Sequence, residues 1–355
     1  MKKIIVIIAL VVIIAILVIL GIYKISLMPV SKQTAEKEIE IPLGSGTSQI
    51  AKILKNNNLI KNEFSFKMYV KLKKISNFQA GTYYLKESMN VKEITQMLQT
   101  GIMYDPNQIT ITYLEGKPMW WLADTISTKT NNTAEDVYAL LENEEYLDKL
   151  IEKYWFLTED IKNNDIYYPL EGYLFPDTYA ISNKDTKVEE IFEKMLDKME
   201  NVLEPYREEI ENSKYSIHEL LTIASIVETE GMNDNDRKDV ASVLYNRLEA
   251  GMSLGSDVTT YYSVKANMGD RDLYQKEIDA SNPYNTRGPN MGGKLPVGPI
   301  SSVGEVSIEA AIEPNETDYL FFVADKNGKL YFTKTNSEHT QKIKELKNSG
   351  MWFEY

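Results

Sequence analysis

Glu228 stands in the stretch SIHELLTIASIVETEG, residues 216–231, on a face with no evident use for a charge. The stretch reads as one helix. Ser216 with Glu219 three residues later is a capping box, and Gly231 falls where helices end in a left-handed turn. At spacings of three, four and seven, Glu228 shares its side with Ser225, Ala224 and Leu221, all small or apolar. Glu230 points the other way, toward water. Burial and the negative end of the helix dipole both favour a neutral acid over a carboxylate. A carboxyl kept protonated on a core-facing helix suits proton donation to the leaving oxygen of a glycosidic bond. The competing reading is a Glu near a helix end that is solvated or salt-bridged, since structural networks also perturb acids.

Three further stretches carry groups that could serve a polar substrate. Residues 169–179, PLEGYLFPDTY, are broken by Gly172 and Pro176 and cannot form one helix. Their Glu171, Tyr173 and Asp177 suit the wall of a groove, or else a loop packed on the core whose acids cap backbone groups. Ser256 and Asp257 precede VTTYYSV, and capping is the default role for both; Asp257 also suits the lining of a site. Residues 281–300 form the least regular segment, and a loop that long inside a compact domain is usually functional or disordered. Its Tyr284, Asn285, Thr286 and Arg287 offer hydrogen bonds to a sugar or an N-acetyl group.

Composition removes several alternatives. The chain lacks cysteine and has two histidines, His218 and His339, far apart in sequence. Disulfides, thiolate metal sites and a cysteine nucleophile are excluded, and a histidine-based zinc site or Ser-His-Asp triad is poorly supported. The net charge of -13, with no basic stripe, argues against a nucleic-acid partner. No P-loop or dinucleotide fingerprint is present, so no cofactor is expected.

The elements that must position these groups follow from periodicity. Lys2 and Lys3 precede an apolar run from Ile4 to Leu20 that extends to Tyr23, about the twenty residues a helix needs to cross a bilayer. That core exceeds the about 7–15 apolar residues of a signal peptide, and no small-x-small cleavage site follows. The expectation is a retained single-pass anchor over residues 4–23, with the N-terminus cytoplasmic and the rest outside the cell membrane. Residues 39–43 and 80–85 read as strands, and 48–55, 64–72 and 90–99 as helices. Together they make a small module. The QITITY run at 108–113 is an alternating strand, followed by a helix over 117–127 with Trp120 and Trp121, which pack in a core or stack on sugars. Helical patterns cover 133–154, 187–208 and 239–250. Ser302 with Glu305 predicts a capping box for a helix to Ile312. Strands at 319–324 and 329–335 join through Asn327-Gly328, and a helix over 338–347 follows. The fold class is α+β, in three parts: 1–30 tail and anchor, 31–105 linker and module, 106–355 a larger catalytic domain.

The motifs PLEGYLFPDTY, ASIVETEG, DVASVLYNRLEAGM with LGSDVTTYY, NPYNTR and LPVGPIS, in this order and spacing, resemble the endolytic murein transglycosylases of the MltG (YceG-like) family. The resemblance covers nearly the whole chain. It departs at Gly255–Val258, where many members carry Gln then Ser-Asp-Pro, and at the GPNMGG insert after Arg287. It implies a LysM-like module near residues 39–103, Glu228 as the catalytic acid and Tyr284 in the site. The implied reaction cuts the β-1,4 bond between N-acetylmuramic acid and N-acetylglucosamine within peptidoglycan, leaving a 1,6-anhydro end. The implied partners are glycan strands and cell-wall synthesis proteins. Two alternatives stand beside it: a hydrolytic muramidase with Asp257, Glu171 or Asp177 as second carboxylate, and a non-catalytic wall-binding scaffold.

Overall fold

A computed structural model describes residues 18–100, 109–231 and 233–352. The chain is mixed α+β and divides into two compact units, Met1–Gln108 and Ile109–Tyr355. Most of the anchor expected over residues 4–23 lies outside the described residues. Residues 18–26 are helical, and among the described residues no helix is long and apolar enough to cross a membrane.

The first unit runs β1 (Glu36–Ile41), α1 (Thr47–Asn56), α2 (Glu63–Leu72), β2 (Gly81–Lys86), α3 (Val91–Thr100). The strands pair antiparallel, with Glu36 opposite Lys86 and Ile41 opposite Gly81. Alternation puts Ile39, Ile41, Tyr83 and Leu85 on one face, where they meet Ile50 and Leu54 of α1, Phe66 of α2 and Ile94 and Leu98 of α3. Each such side chain contributes about 1.5–3 kcal/mol by leaving water, so a small module can hold its own core.

The second unit begins with β3 (Ile109–Thr112), α4 (Met119–Lys129), α5 (Ala134–Leu141), α6 (Glu144–Lys153), β4 (Thr178–Ile181), α7 (Val188–Leu203) and α8 (Arg207–Asn212). The region expected as one helical stretch at 133–154 is two helices, because Asn143 caps the second by accepting from the Tyr146 N–H. Strand β4, at the end of the 169–179 loop, pairs antiparallel with β3. Then follow α9 (Ile217–Glu230), α10 (Asp234–Glu249), α11 (Asp257–Ser263), α12 (Gln275–Ile278) and α13 (Glu305–Ile312). The unit closes with β5 (Phe321–Ala324), β6 (Leu330–Thr333) and α14 (Asn336–Asn348). Residues 281–300 contain neither helix nor strand.

Helix α9 is the axis of this unit. Ile217, Leu220, Leu221, Ile223, Ala224, Ile226 and Val227 are all buried, so it is covered nearly all round; a helix apolar on every side belongs in the middle of a core. The Ser216–Glu219 capping box is formed in both directions. Helix α10 starts at Asp234, five residues before the expected Asp239. The Asn233 side chain accepts from the Asn235 and Asp236 N–H groups and caps it early.

Candidate active site

Glu228 lies in the last turn of α9 with its side chain only 4% exposed. Both oxygens are held. Oε1 accepts from Nη2 of Arg237 at 2.9 Å, and Oε2 accepts from the Gly304 N–H at 2.9 Å. The core-facing position expected from sequence is present, but the acid is salt-bridged, as in the competing reading, and not alone on an apolar face. Arg237 lies in the first turn of α10 and also donates from Nη1 to Asp234 at 2.9 Å. Its early position follows from the Asn233 cap.

Two glycines make this geometry possible, each for a reason of space. Gly231 has φ −73°, so it does not adopt the left-handed turn expected of it. A Cβ there would stand 2.8 Å from both Arg237 Cγ and the Val227 carbonyl, so glycine is needed to let the arginine return over the helix end. Gly304 is the N-cap of α13, and Ser302 is not. The Ser302 hydroxyl instead accepts from the Lys117 N–H at 3.2 Å and donates to the Leu114 carbonyl at 2.8 Å. It ties the turn after β3 to the segment before α13. Gly304 thereby places its free N–H, at the positive end of α13, on Glu228. One turn earlier on α9, the Ser225 hydroxyl accepts from the Ile300 N–H at 3.0 Å and donates to the Thr222 carbonyl at 2.7 Å. The end of the 281–300 loop is thus anchored beside Glu228.

Most of the other expected site residues lie inside the protein. Asn285 is fully buried. Its Nδ2 donates to the carbonyls of Glu277, Ile278 and Ala280, and its Oδ1 accepts from the Thr260 hydroxyl. The Thr286 hydroxyl, also buried, accepts from the Ser256 N–H at 3.0 Å. These groups were expected to face a sugar; their hydrogen-bonding capacity is instead spent holding the loop to α11. Tyr284 is buried with its ring centre 4.7 Å from those of both Tyr167 and Tyr262, and its hydroxyl accepts from the Tyr167 N–H. Tyr173 is buried too, its hydroxyl 2.8 Å from Nδ1 of His218, whose Nε2 lies 2.9 Å from the Val297 carbonyl.

Ser256 is the N-cap residue of α11 without a side-chain capping bond. Its hydroxyl donates to Glu230 at 2.6 Å. Glu230 is therefore not the solvated acid expected: burial, then the charge of Asp257, raises its carboxyl above the ordinary value. Asp257 is half exposed and ion-paired with Arg287.

Glu171 was expected on the wall of a groove and is sealed in the core, 1% exposed. Its Oε2 accepts from the Met119 N–H at the start of α4 at 2.8 Å and from the Tyr262 hydroxyl at 3.0 Å. Its Oε1 has no hydrogen-bond partner among the described residues. Burial outweighs the bonds and pushes the carboxyl up to about 8, so it is protonated at neutral pH. Asp177 pairs with Lys198 at 3.5 Å on the surface. Trp120 and Trp121 are partly buried, Trp120 against Tyr262 and Tyr168 and Trp121 against Tyr113. Among the described residues no group of three or more His, Asp or Glu is arranged to hold a metal ion.

What the sequence patterns missed are Arg237, Gly304 and Glu115. Glu115 lies in the turn between β3 and α4, beside Gly304. The run NDNDR held the signal for Arg237, because Asn233 is a good cap and so opens the helix before the arginine. Nothing local marks Gly304 or Glu115, since both matter through contacts far along the chain.

An α+β frame in which one buried acid sits where α9, α10 and the start of α13 meet defines the class of site. The chain belongs to the YceG-like family, whose model matches residues 39–345. It is 41% identical over 317 residues to the endolytic murein transglycosylase of Bacillus subtilis, covering 89% of this chain and 86% of that protein. The protein of the same name in Streptococcus pneumoniae strain D39 is 33% identical over 342 residues, covering 92% of this chain and 61% of that one. A 2.6 Å crystal structure of a yceG-like protein from Listeria monocytogenes superposes with a TM-score of 0.61 at 36% identity, covering 88% of this chain and all of that one.

Proposed function

We propose that this chain is a lytic transglycosylase that cuts the bond between N-acetylmuramic acid and N-acetylglucosamine within peptidoglycan strands, with Glu228 as the acid. The observation that carries the reading is the state of Glu228: a buried carboxyl on an apolar helix, fixed at both oxygens, in a family whose relatives bear this activity as their name. A carboxyl group has about four lone-pair positions. The bonds from Arg237 and Gly304 occupy one on each oxygen and leave the other positions open to a substrate.

The chemistry follows. Glu228 donates its proton to the glycosidic oxygen as the bond to the anomeric carbon breaks. The 6-hydroxyl of the same muramic acid attacks that carbon and closes the 1,6-anhydro ring. Attack from within the sugar has a high effective molarity, so no water need be delivered. In the simplest scheme the Glu228 carboxylate then takes the hydroxyl proton. Arg237 and Gly304 stabilise the carboxylate that appears after donation.

Hydrolysis through the second carboxylates considered from sequence is disfavoured. Glu171 is sealed in the core, and Asp177 and Asp257 are engaged by Lys198 and Arg287. The relatives' name, endolytic murein transglycosylase, favours an enzyme over a pure scaffold. The apolar run over 4–23 supports a single-pass anchor that leaves residues beyond it outside the cell membrane. The strand–helix–helix–strand order of β1, α1, α2 and β2 supports a LysM-like module that binds or spaces the glycan. The Glu228→Gln variant, incubated with purified sacculi, should release anhydro-ended glycans about 100-fold or more slowly than the wild type by mass spectrometry. Undiminished release would remove Glu228 from this role.

A further inference from the structure

Glu115 is a second acid beside Glu228, and the scheme above leaves it idle. It sits in a turn fixed from the other side: the Gly116 N–H donates to the Ser302 carbonyl, and the Ser302 N–H donates to the Lys117 carbonyl. Its carboxyl occupies the space Gly304 leaves open, where a Cβ would stand 2.6 Å from the Glu115 Cδ. The same glycine donates its N–H to Glu228 at 2.9 Å. A residue's nitrogen lies about 2.5 Å from its Cβ position. The Glu115 carboxyl carbon is therefore no more than about 8 Å from Glu228 Oε2, under the upper limit of about 9.5 Å at which paired carboxyls act on one glycosidic bond.

The two acids differ in access. Glu115 reaches solvent and Glu228 is buried. The charged groups facing Glu115 are Glu228 from α9 and Arg237 and Asp234 from α10. Partial burial raises its carboxyl, and Arg237 opposes that shift.

We propose that Glu115 is a second acid–base group of this site, accepting the proton of the attacking hydroxyl while Glu228 only donates. The inference rests on the transglycosylase reading. Glu228 O–H gives its proton to the glycosidic oxygen as the carbon–oxygen bond breaks. The 6-hydroxyl oxygen bonds to the anomeric carbon, and its proton passes to the Glu115 carboxylate. Glu115 then releases that proton to solvent and Glu228 takes one up, so a turnover gains and loses none.

Initial rates of anhydro-end release from sacculi, measured from pH 4 to 9, test this. Glu115→Gln should lower kcat about 100-fold or more with little change in KM, and should remove one limb of the pH profile. Its melting midpoint should match the wild type, because the side chain is exposed. Glu115→Asp should recover part of the rate. Gly304→Ala keeps the charge but displaces the carboxyl, and should also lower kcat. A Glu115→Gln enzyme within threefold of the wild type, with both pH limbs intact, overturns the role of Glu115 alone. A wild type that makes reducing ends or no product overturns the transglycosylase reading itself.

Discussion

The acids of this protein are sorted by what surrounds each carboxyl. Glu228 has a cation and a backbone N–H, and Glu171 has two donors on one oxygen and nothing on the other. The consequence for Glu171 is a pH-dependent stability. Its folded carboxyl titrates near 8 against an ordinary 4.5. The folded state therefore holds a proton between those values that the unfolded state has lost, and stability falls as pH rises through the window. The contribution is full below about 4.5, falls by up to about 1.4 kcal/mol per pH unit, and levels off above about 8. Chemical denaturation at pH 5 and pH 8 should show a smaller difference in Glu171→Gln than in the wild type; equal differences would mean that Glu171 is ionised in the fold. For Arg237, removing the guanidinium leaves Glu228 buried without its cation. Arg237→Met should cost about 1–3 kcal/mol of stability, read from urea midpoints, because it leaves Glu228 Oε1 buried without its donor.

At the scale of elements, the site depends on where helices begin and how closely their ends approach. Helix α10 begins at Asp234 only because Asn233 caps it, and that early start puts Arg237 over the end of α9. Asn233→Ala should lower stability by about 1 kcal/mol and weaken catalysis further than a remote cap of equal worth would, for example Thr335 on α14. Gly231→Ala meets a harder limit, since the added methyl would stand 2.8 Å from Arg237 Cγ. Overpacking of that kind costs about 1–3 kcal/mol. A calorimetric midpoint unchanged from wild type would show that the helix end can yield without strain.

For the whole molecule, the two units have hydrophobic cores with no residue in common. Cores that share nothing need not melt together, so scanning calorimetry of the full chain should show two transitions. Leu54→Ala in the first core should cost about 2–5 kcal/mol and lower one transition while leaving the other in place. A shift of both would mean that the units are coupled. Glu228 lies in the second unit, so on the proposed function the same variant should keep its cleavage rate at temperatures below its first transition.

The sequence by itself determined most of the elements and the core-facing position of Glu228. Capping boxes and apolar spacing are local, so Ser216–Glu219 and the buried faces of α1 and α9 were legible without coordinates. The irregular 281–300 segment was legible too, but not its use: Asn285 and Thr286 read as groups awaiting a sugar, and only packing against α11 showed where their bonds go. Tertiary structure alone decided the company Glu228 keeps. Gly304 is 76 residues away along the chain, and Glu115 reaches the same glycine from the opposite direction. A charge's surroundings are set by distances in space, which no spacing along a helix encodes.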